Sequence, residues 1–238
     1  MFFQGGTSLS FGAGASGPAD AALADARGLD ASGADAGPGC VPGATLADDF
    51  TGATPDPRWQ VSTALGGSAT QVNGRARLAL PAASAAFTSA SYTTTARHDF
   101  TGHSVSIEVP TMVDTATNAQ VFFQLLDVTP SGNRVVAFEQ RSGRLRLYVA
   151  DLGVVTETSI AYEPTLQRFW RLREAAGTVY FDTSPDGSSW QSRFSSTGGF
   201  DVSSMQLQLM AGTYQAESAP GAAEFDQLRS DVGEVCAP

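Results

Sequence analysis

Sugars are held by planar hydrogen-bonding groups beside an aromatic platform, and this chain offers such a set in Glu139, Arg146, Tyr148, Arg171, Arg173, Tyr180 and Asp182. Each stands at the polar phase of a run that alternates polar with apolar residues. All seven are therefore expected opposite the core and form the candidate ligand-binding surface. An ordinary solvated sheet face alternates Arg, Glu and Tyr in the same way, so a lattice of cross-strand ion pairs is the competing reading. Other chemistries are poorly supplied. His98 and His103 are the only histidines, and Asp99-Phe100-Thr101-Gly102 between them reads as a turn, which puts both imidazoles in solvent rather than on zinc. A Ser-His-Asp triad would draw on the same two residues, and no Gly-x-Ser-x-Gly elbow is there to present a serine. No Gly-rich phosphate loop precedes a helix.

The elements that must position these groups are clearest from Glu163 to Phe194. At period two, Trp170, Leu172, Val179, Phe181, Trp190 and Phe194 share one side, with Arg171, Arg173, Tyr180, Asp182, Gln191 and Arg193 on the other. That is a half-buried antiparallel meander, turned at Ala175-Ala176-Gly177 and Pro185-Asp186-Gly187. The turn Ser184-Pro185-Asp186-Gly187 is expected to cap backbone amides through its Asp while Trp190 enters the core. Short strand-like runs of this kind recur at even spacing from residue 45 to 230, with no helical period between them, which predicts a two-sheet β-sandwich. Turns between them are marked by pairs such as Asn73-Gly74 and Ser142-Gly143.

Residues 1–39 differ in kind. They are almost wholly Gly, Ala, Ser, Asp and Pro, too poor in large apolar groups to offset the entropy of ordering, and are expected to be a disordered leader or tether through lipid or protein. The structured domain is expected over 40–238, a size ordinary for one sandwich. The chain carries a net charge of −10, and all 14 of its basic residues are arginine. That balance argues against nucleic acid, which needs a basic stripe. No apolar run is long enough for a membrane span.

Asp48-Asp49-Phe50, Asp56-Pro57-Arg58-Trp59, the run from Phe169 to Trp190, Leu209-Met210-Ala211-Gly212-Thr213-Tyr214 and Ala223-Glu224-Phe225-Asp226-Gln227-Leu228 resemble secreted bacterial domains of the concanavalin A-like lectin/glucanase superfamily. The resemblance spans Thr45 to Arg229 and implies a jelly roll. It implies little about activity, because that superfamily includes lectins, glycosidases and laminin-G-type adhesion modules. Its retaining glucanases project carboxylates from a Glu-x-Asp-x-x-Glu strand. The nearest match here, Glu224-Phe225-Asp226-Gln227-Leu228-Arg229, has Arg where the last carboxylate belongs, and Glu139 shows no paired spacing with Asp151.

In a jelly roll the first and last strands commonly run side by side. Asp48, Asp49 and Asp226 would then converge as hard oxygen ligands for a structural calcium ion, the one cofactor considered. Cys40 and Cys236 would meet in a disulfide, which suits a secreted or cell-envelope setting; two free thiols are the plainer alternative. The function expected from the sequence is a non-catalytic carbohydrate-binding or adhesion module, not an enzyme, whose partner is a glycan or another surface protein. A structural module in a surface assembly is the alternative, and a glycoside hydrolase the third, set aside for want of paired carboxylates.

Overall fold

A computed structural model describes residues 46–111, 116–127, 134–232 and 234–235. The leader, Cys40, Cys236 and the turn read at Ser131-Gly132-Asn133 lie outside the described residues. Two seven-stranded sheets pack face to face, and every pairing in them is antiparallel. The first sheet runs in the order β1 (Trp59–Ala64), β4 (Ser89–Thr94), β14 (Gln206–Thr213), β7 (Ala119–Asp127), β8 (Arg134–Arg141), β9 (Arg144–Asp151) and β10 (Val154–Ala161). The second runs β13 (Gln191–Thr197), β12 (Thr178–Ser184), β11 (Phe169–Ala175), β6 (Ser104–Thr111), β15 (Ala222–Ser230), β3 (Ala76–Ala79) and β2 (Ser68–Gln71). A two-residue pair, β5 (Arg97–His98) with β16 (Glu234–Val235), stands apart from both. Among the described residues there is no helix, and so none that could cross a membrane.

Alternation builds the core. Val136, Phe138, Leu145 and Leu147 point inward from β8 and β9, while Trp170, Leu172, Val179 and Phe181 point inward from β11 and β12; all are buried. The sheets meet where the Phe138 ring stacks on Trp170 at 5.2 Å and meets the edge of Phe181 at 5.4 Å. Trp170 also satisfies its indole N–H, which donates to the Gln167 carbonyl at 2.9 Å.

Three local expectations need correction. The run read as a first strand near 45–50 makes only a single bridge, Asp48 to Leu228, because Asp48 and Asp49 turn their carboxylates onto the amides of Phe50 and Thr51 and curl the chain. Trp190 does not enter the core. It precedes β13, and a register shift between Phe181 and Asp182 breaks the period-two phase, so its ring lies instead 4.2 Å from the Arg171 guanidinium on the outer side. His98 is buried rather than in solvent, with its ring 6.0 Å from Phe100.

Candidate active site

Two tight hairpins set the geometry of the first sheet's outer face. Ser142 and Gly143 both have positive φ, 52° and 71°, the type I′ conformation whose twist suits a two-residue hairpin, and they lock Glu139 opposite Arg146. Leu152 and Gly153 repeat this at 48° and 89°, setting Arg146 opposite Ser159 and Tyr148 opposite Glu157. Three strands thus place Glu139, Arg146 and Glu157 within reach of one another.

The central feature is a carboxylate that faces outward yet is almost wholly covered. Glu139 is 3% exposed. Its Oε2 accepts from Arg146 Nη1 at 2.9 Å, and Oε1 lies 3.8 Å from Arg141 Nη1. The other edge of the Arg146 guanidinium donates to Glu157, through Nε at 2.8 Å and through Nη2. Burial works against the charge of Arg146, but Glu157 and Glu139 outweigh it and hold its pKa above the usual arginine value. The guanidinium stacks 4.4 Å from the Tyr148 ring. Burial, reinforced by Glu139, pushes the Tyr148 hydroxyl up to about 12, so Tyr148 stays a proton donor at any working pH.

Beside this triad is a pocket of about 190 Å³ lined by Glu139, Arg141, Ser142, Arg144, Arg146, Ser159 and Tyr214. Further along the same face, Gln124 donates to Gln208 at 2.6 Å and Gln208 to the Thr93 hydroxyl at 2.9 Å, a row of two amides and a hydroxyl on β7, β14 and β4.

The seven residues expected on one surface divide between two. Glu139, Arg146 and Tyr148 lie on the outer face of the first sheet; Arg171, Arg173, Tyr180 and Asp182 lie on the outer face of the second, across the thickness of the sandwich. Period two tells which residues leave the core but not which sheet they leave from. On the second face Asp182 is 1% exposed, and its Oδ2 takes three bonds, from Arg171 Nε (3.0 Å) and Nη2 (2.7 Å) and from Arg173 Nε (2.8 Å). Arg173 in turn lies 3.8 Å over the Tyr180 ring. That cluster is the cross-strand ion-pair lattice described above as the competing reading.

Glu224 and Asp226 do share the outer face of β15, with Asp226 paired in register to Glu108 on β6. Arginines reach all three carboxylates, Asp226 least closely, with its Oδ2 4.0 Å from Arg75 Nε. Glu224 accepts from Arg75 at 2.9 Å and Arg77 at 2.8 Å, and Glu108 accepts from Arg168 Nε at 2.6 Å and from Gln227. A cleft of about 610 Å³ is nearby, but its walls are Arg75, Val109, Pro110, Thr111, Tyr162, Pro164, Thr165, Arg168 and Pro185, with no carboxylate among them.

The three acids expected as calcium ligands each accept hydrogen bonds from the chain, Asp226 from the Gln227 amide at 2.7 Å. Asp48 Oδ2 accepts from the Trp59 indole at 2.7 Å and Asp49 Oδ1 from the Thr51 hydroxyl at 2.7 Å, and among the described residues no three acidic, His or Cys side chains form a group able to hold a metal.

No protein-family model matches the chain, and no curated protein matches it in sequence. Solved structures do match in fold. A glycosyl hydrolase family 16 protein of Mycobacterium smegmatis is 14% identical with a TM-score of 0.59, over 79% of this chain and all of that one. The β-glucanase of Bacillus licheniformis is 10% identical (TM-score 0.58, 79% of this chain and 98% of its own). A β-1,3-1,4-glucanase (lichenase) from a mouse hindgut metagenome is also 10% identical (TM-score 0.55, 81% and 99%). The fold is therefore the concanavalin A-like jelly roll, as the sequence resemblance implied.

The expectation of a non-catalytic binding, adhesion or assembly module that is not an enzyme is corrected by these likenesses, since the three solved structures just named are glycoside hydrolases by their descriptions. The ground for setting hydrolysis aside was also too narrow. It rested on the strand from Glu224 to Arg229 and on Glu139 with Asp151, whereas Glu139 and Glu157, on β8 and β10, are joined through an arginine on β9. Glu157 carries no signal of its own in the sequence, since its meeting with Arg146 depends on the cross-strand register that the Leu152-Gly153 turn fixes.

Proposed function

We propose that this domain is a glycoside hydrolase acting on a polysaccharide that lies across the outer face of the first sheet, with Glu139 and Glu157 as its carboxylate pair. One observation carries the reading: Glu139 is an outward-facing, nearly buried carboxylate that lines a pocket and is coupled through Arg146 to a second, accessible carboxylate. The fold shared with glucan-cleaving enzymes supports it. The Glu108, Glu224 and Asp226 cluster is a weaker candidate because the neighbouring cleft exposes none of the three to a sugar.

The roles follow from position. Glu157, with its side chain 46% exposed, stands at the rim, where it can protonate the leaving glycosidic oxygen and recover a proton from solvent. Glu139, in the pocket wall, faces the sugar carbon from which that oxygen departs and either attacks it or activates water. Arg146 must turn from Glu157 toward the substrate before Glu157 can carry a proton, because an arginine neighbour favours the charged carboxylate. Tyr148 offers the stacking platform and a hydroxyl donor.

Reducing-end release from a panel of β-linked glucans and acidic polysaccharides tests the proposal. The wild-type chain should cleave at least one, and Glu139→Gln should lower the rate by about a hundredfold or more at an unchanged melting temperature. Absence of cleavage across the panel, or an undiminished rate in Glu139→Gln, would overturn it.

A further inference from the structure

The pocket beside Glu139 has the wrong charge for a neutral sugar. In a chain of net charge −10 with 14 arginines in all, three of those arginines, Arg141, Arg144 and Arg146, line this one cavity against a single lining carboxylate. Elsewhere among the described residues arginines gather at most two to a carboxylate, and Arg193 and Arg229 each bond a neutral acceptor singly. Asp182 answers Arg171 and Arg173, Glu224 answers Arg75 and Arg77, and Arg134 is flanked by Asp151 and Asp201.

Within the pocket the imbalance falls on two residues. Arg144 makes no ion pair among the described residues: its Nε donates to the Ser159 hydroxyl at 2.9 Å and its Nη2 to the Ser159 carbonyl at 2.8 Å, both neutral acceptors. Arg141 comes no nearer to a carboxylate than 3.8 Å from Glu139, and its guanidinium lies 4.7 Å over the Tyr214 ring. Tyr214 is itself anchored by a bond from its hydroxyl to the Thr117 carbonyl at 3.0 Å. Glu217 makes no ion pair among the described residues, its oxygens accepting instead from the amides of Asn118 and Ser218 at 3.0 Å each. Arg144 is thus fixed in orientation by neutral partners and Arg141 by the Tyr214 ring beside a distant Glu139, with their remaining N–H groups bonded to no acceptor among the described residues.

We propose that this pocket is a subsite for an anionic substituent, a uronate carboxylate or a sulfate ester, so that the substrate of the hydrolase proposed above, on which this inference rests, is an acidic polysaccharide. A planar guanidinium fork already held in place makes paired, charge-assisted bonds to a carboxylate or sulfate at little further entropic cost. A neutral glucan offers only hydroxyls, whose bonds to arginine are weaker and merely replace water.

Isothermal titration of the full chain at low ionic strength with an oligoglucuronate, a sulfated oligosaccharide and a neutral laminari-oligosaccharide tests this. At least one anionic probe should bind about tenfold more tightly than the neutral one, and the preference should shrink toward 1 M salt, where charges are screened within about 3 Å. Preference for the oligoglucuronate assigns the uronate, preference for the sulfated probe assigns the ester, and equal preference supports the shared anionic class. Arg144→Gln should remove most of the preference, and Arg144→Lys should restore part of it. Arg141→Gln, checked by its melting temperature, serves if Arg144→Gln misfolds. Equal or tighter binding of the neutral probe, no binding of either anion, or a preference unchanged in these variants overturns the inference. Anion binding without cleavage of any acidic polysaccharide would leave this subsite standing and defeat the hydrolase reading; cleavage of a neutral glucan without anion preference would do the reverse.

Discussion

Asp226 shows how far a single side chain can be read. Its type and its neighbour Glu224 were visible in the sequence, but its environment was not. Burial, opposed by the Gln227 amide and aggravated by Glu108, raises its pKa above the ordinary 3.8. A carboxyl whose folded pKa exceeds its unfolded one stabilises the fold fully only below the unfolded value, and that contribution is lost as pH rises through the folded value. Ionised Asp226 therefore costs stability at neutral pH. Asp226→Asn should raise the melting temperature at pH 7, and the gain should fade as pH drops toward 3.8, which melts of both proteins across that range will show; a variant less stable at pH 7 would contradict this. Glu139, Arg146 and Tyr148 were legible as outward-facing because alternation is a local property. Their separation from Arg171, Arg173, Tyr180 and Asp182 was not, because assignment to a sheet depends on long-range pairing that one strand's pattern does not encode.

At the scale of the element, the β8–β9 hairpin is the part of the site that the sequence specifies best. Ser142-Gly143 announces a two-residue turn, and that turn fixes Glu139 against Arg146. A Cβ at Gly143 meets nothing within 4 Å, so the cost of Gly143→Ala is backbone strain at φ 71° alone. Chemical denaturation should show a loss of about 1–2 kcal/mol. A neutral substitution would mean that the turn relaxes without cost and does not hold the register. The β12–β13 hairpin was less legible, since the shift between Phe181 and Asp182 moves Trp190 out of phase, and bulges leave no mark in a hydrophobic alternation.

For the molecule as a whole, the two-sheet sandwich was legible because many short amphipathic strands without helices admit few other packings. The pairing of its ends was legible in outline as well. Leu46 donates to the Val232 carbonyl at 3.0 Å, and Asp48 bridges Leu228, so residues 46–48 run beside 228–232. This adjacency supports a Cys40–Cys236 bridge, which we propose. Closing a loop of that length contributes up to about 5 kcal/mol through the entropy of the unfolded chain. Peptide mapping without reductant should recover the linked pair, and reduction should lower the melting temperature; two alkylatable thiols in protein refolded under oxidising conditions would refute the bridge.

The function was the least legible, because the carboxylates that the fold assembles stand on different strands, 18 residues apart in sequence, and are joined by an arginine on the strand between them. The direct test is a crystal structure of Glu139→Gln with a bound oligosaccharide drawn from whichever polysaccharide the protein binds. The sugar is predicted on the outer face of the first sheet, stacked near Tyr148, with a glycosidic oxygen within hydrogen-bond reach of Glu157. Density for the sugar on the Arg171, Arg173 and Tyr180 face, or in the cleft walled by Arg75 and Arg168, would contradict the account.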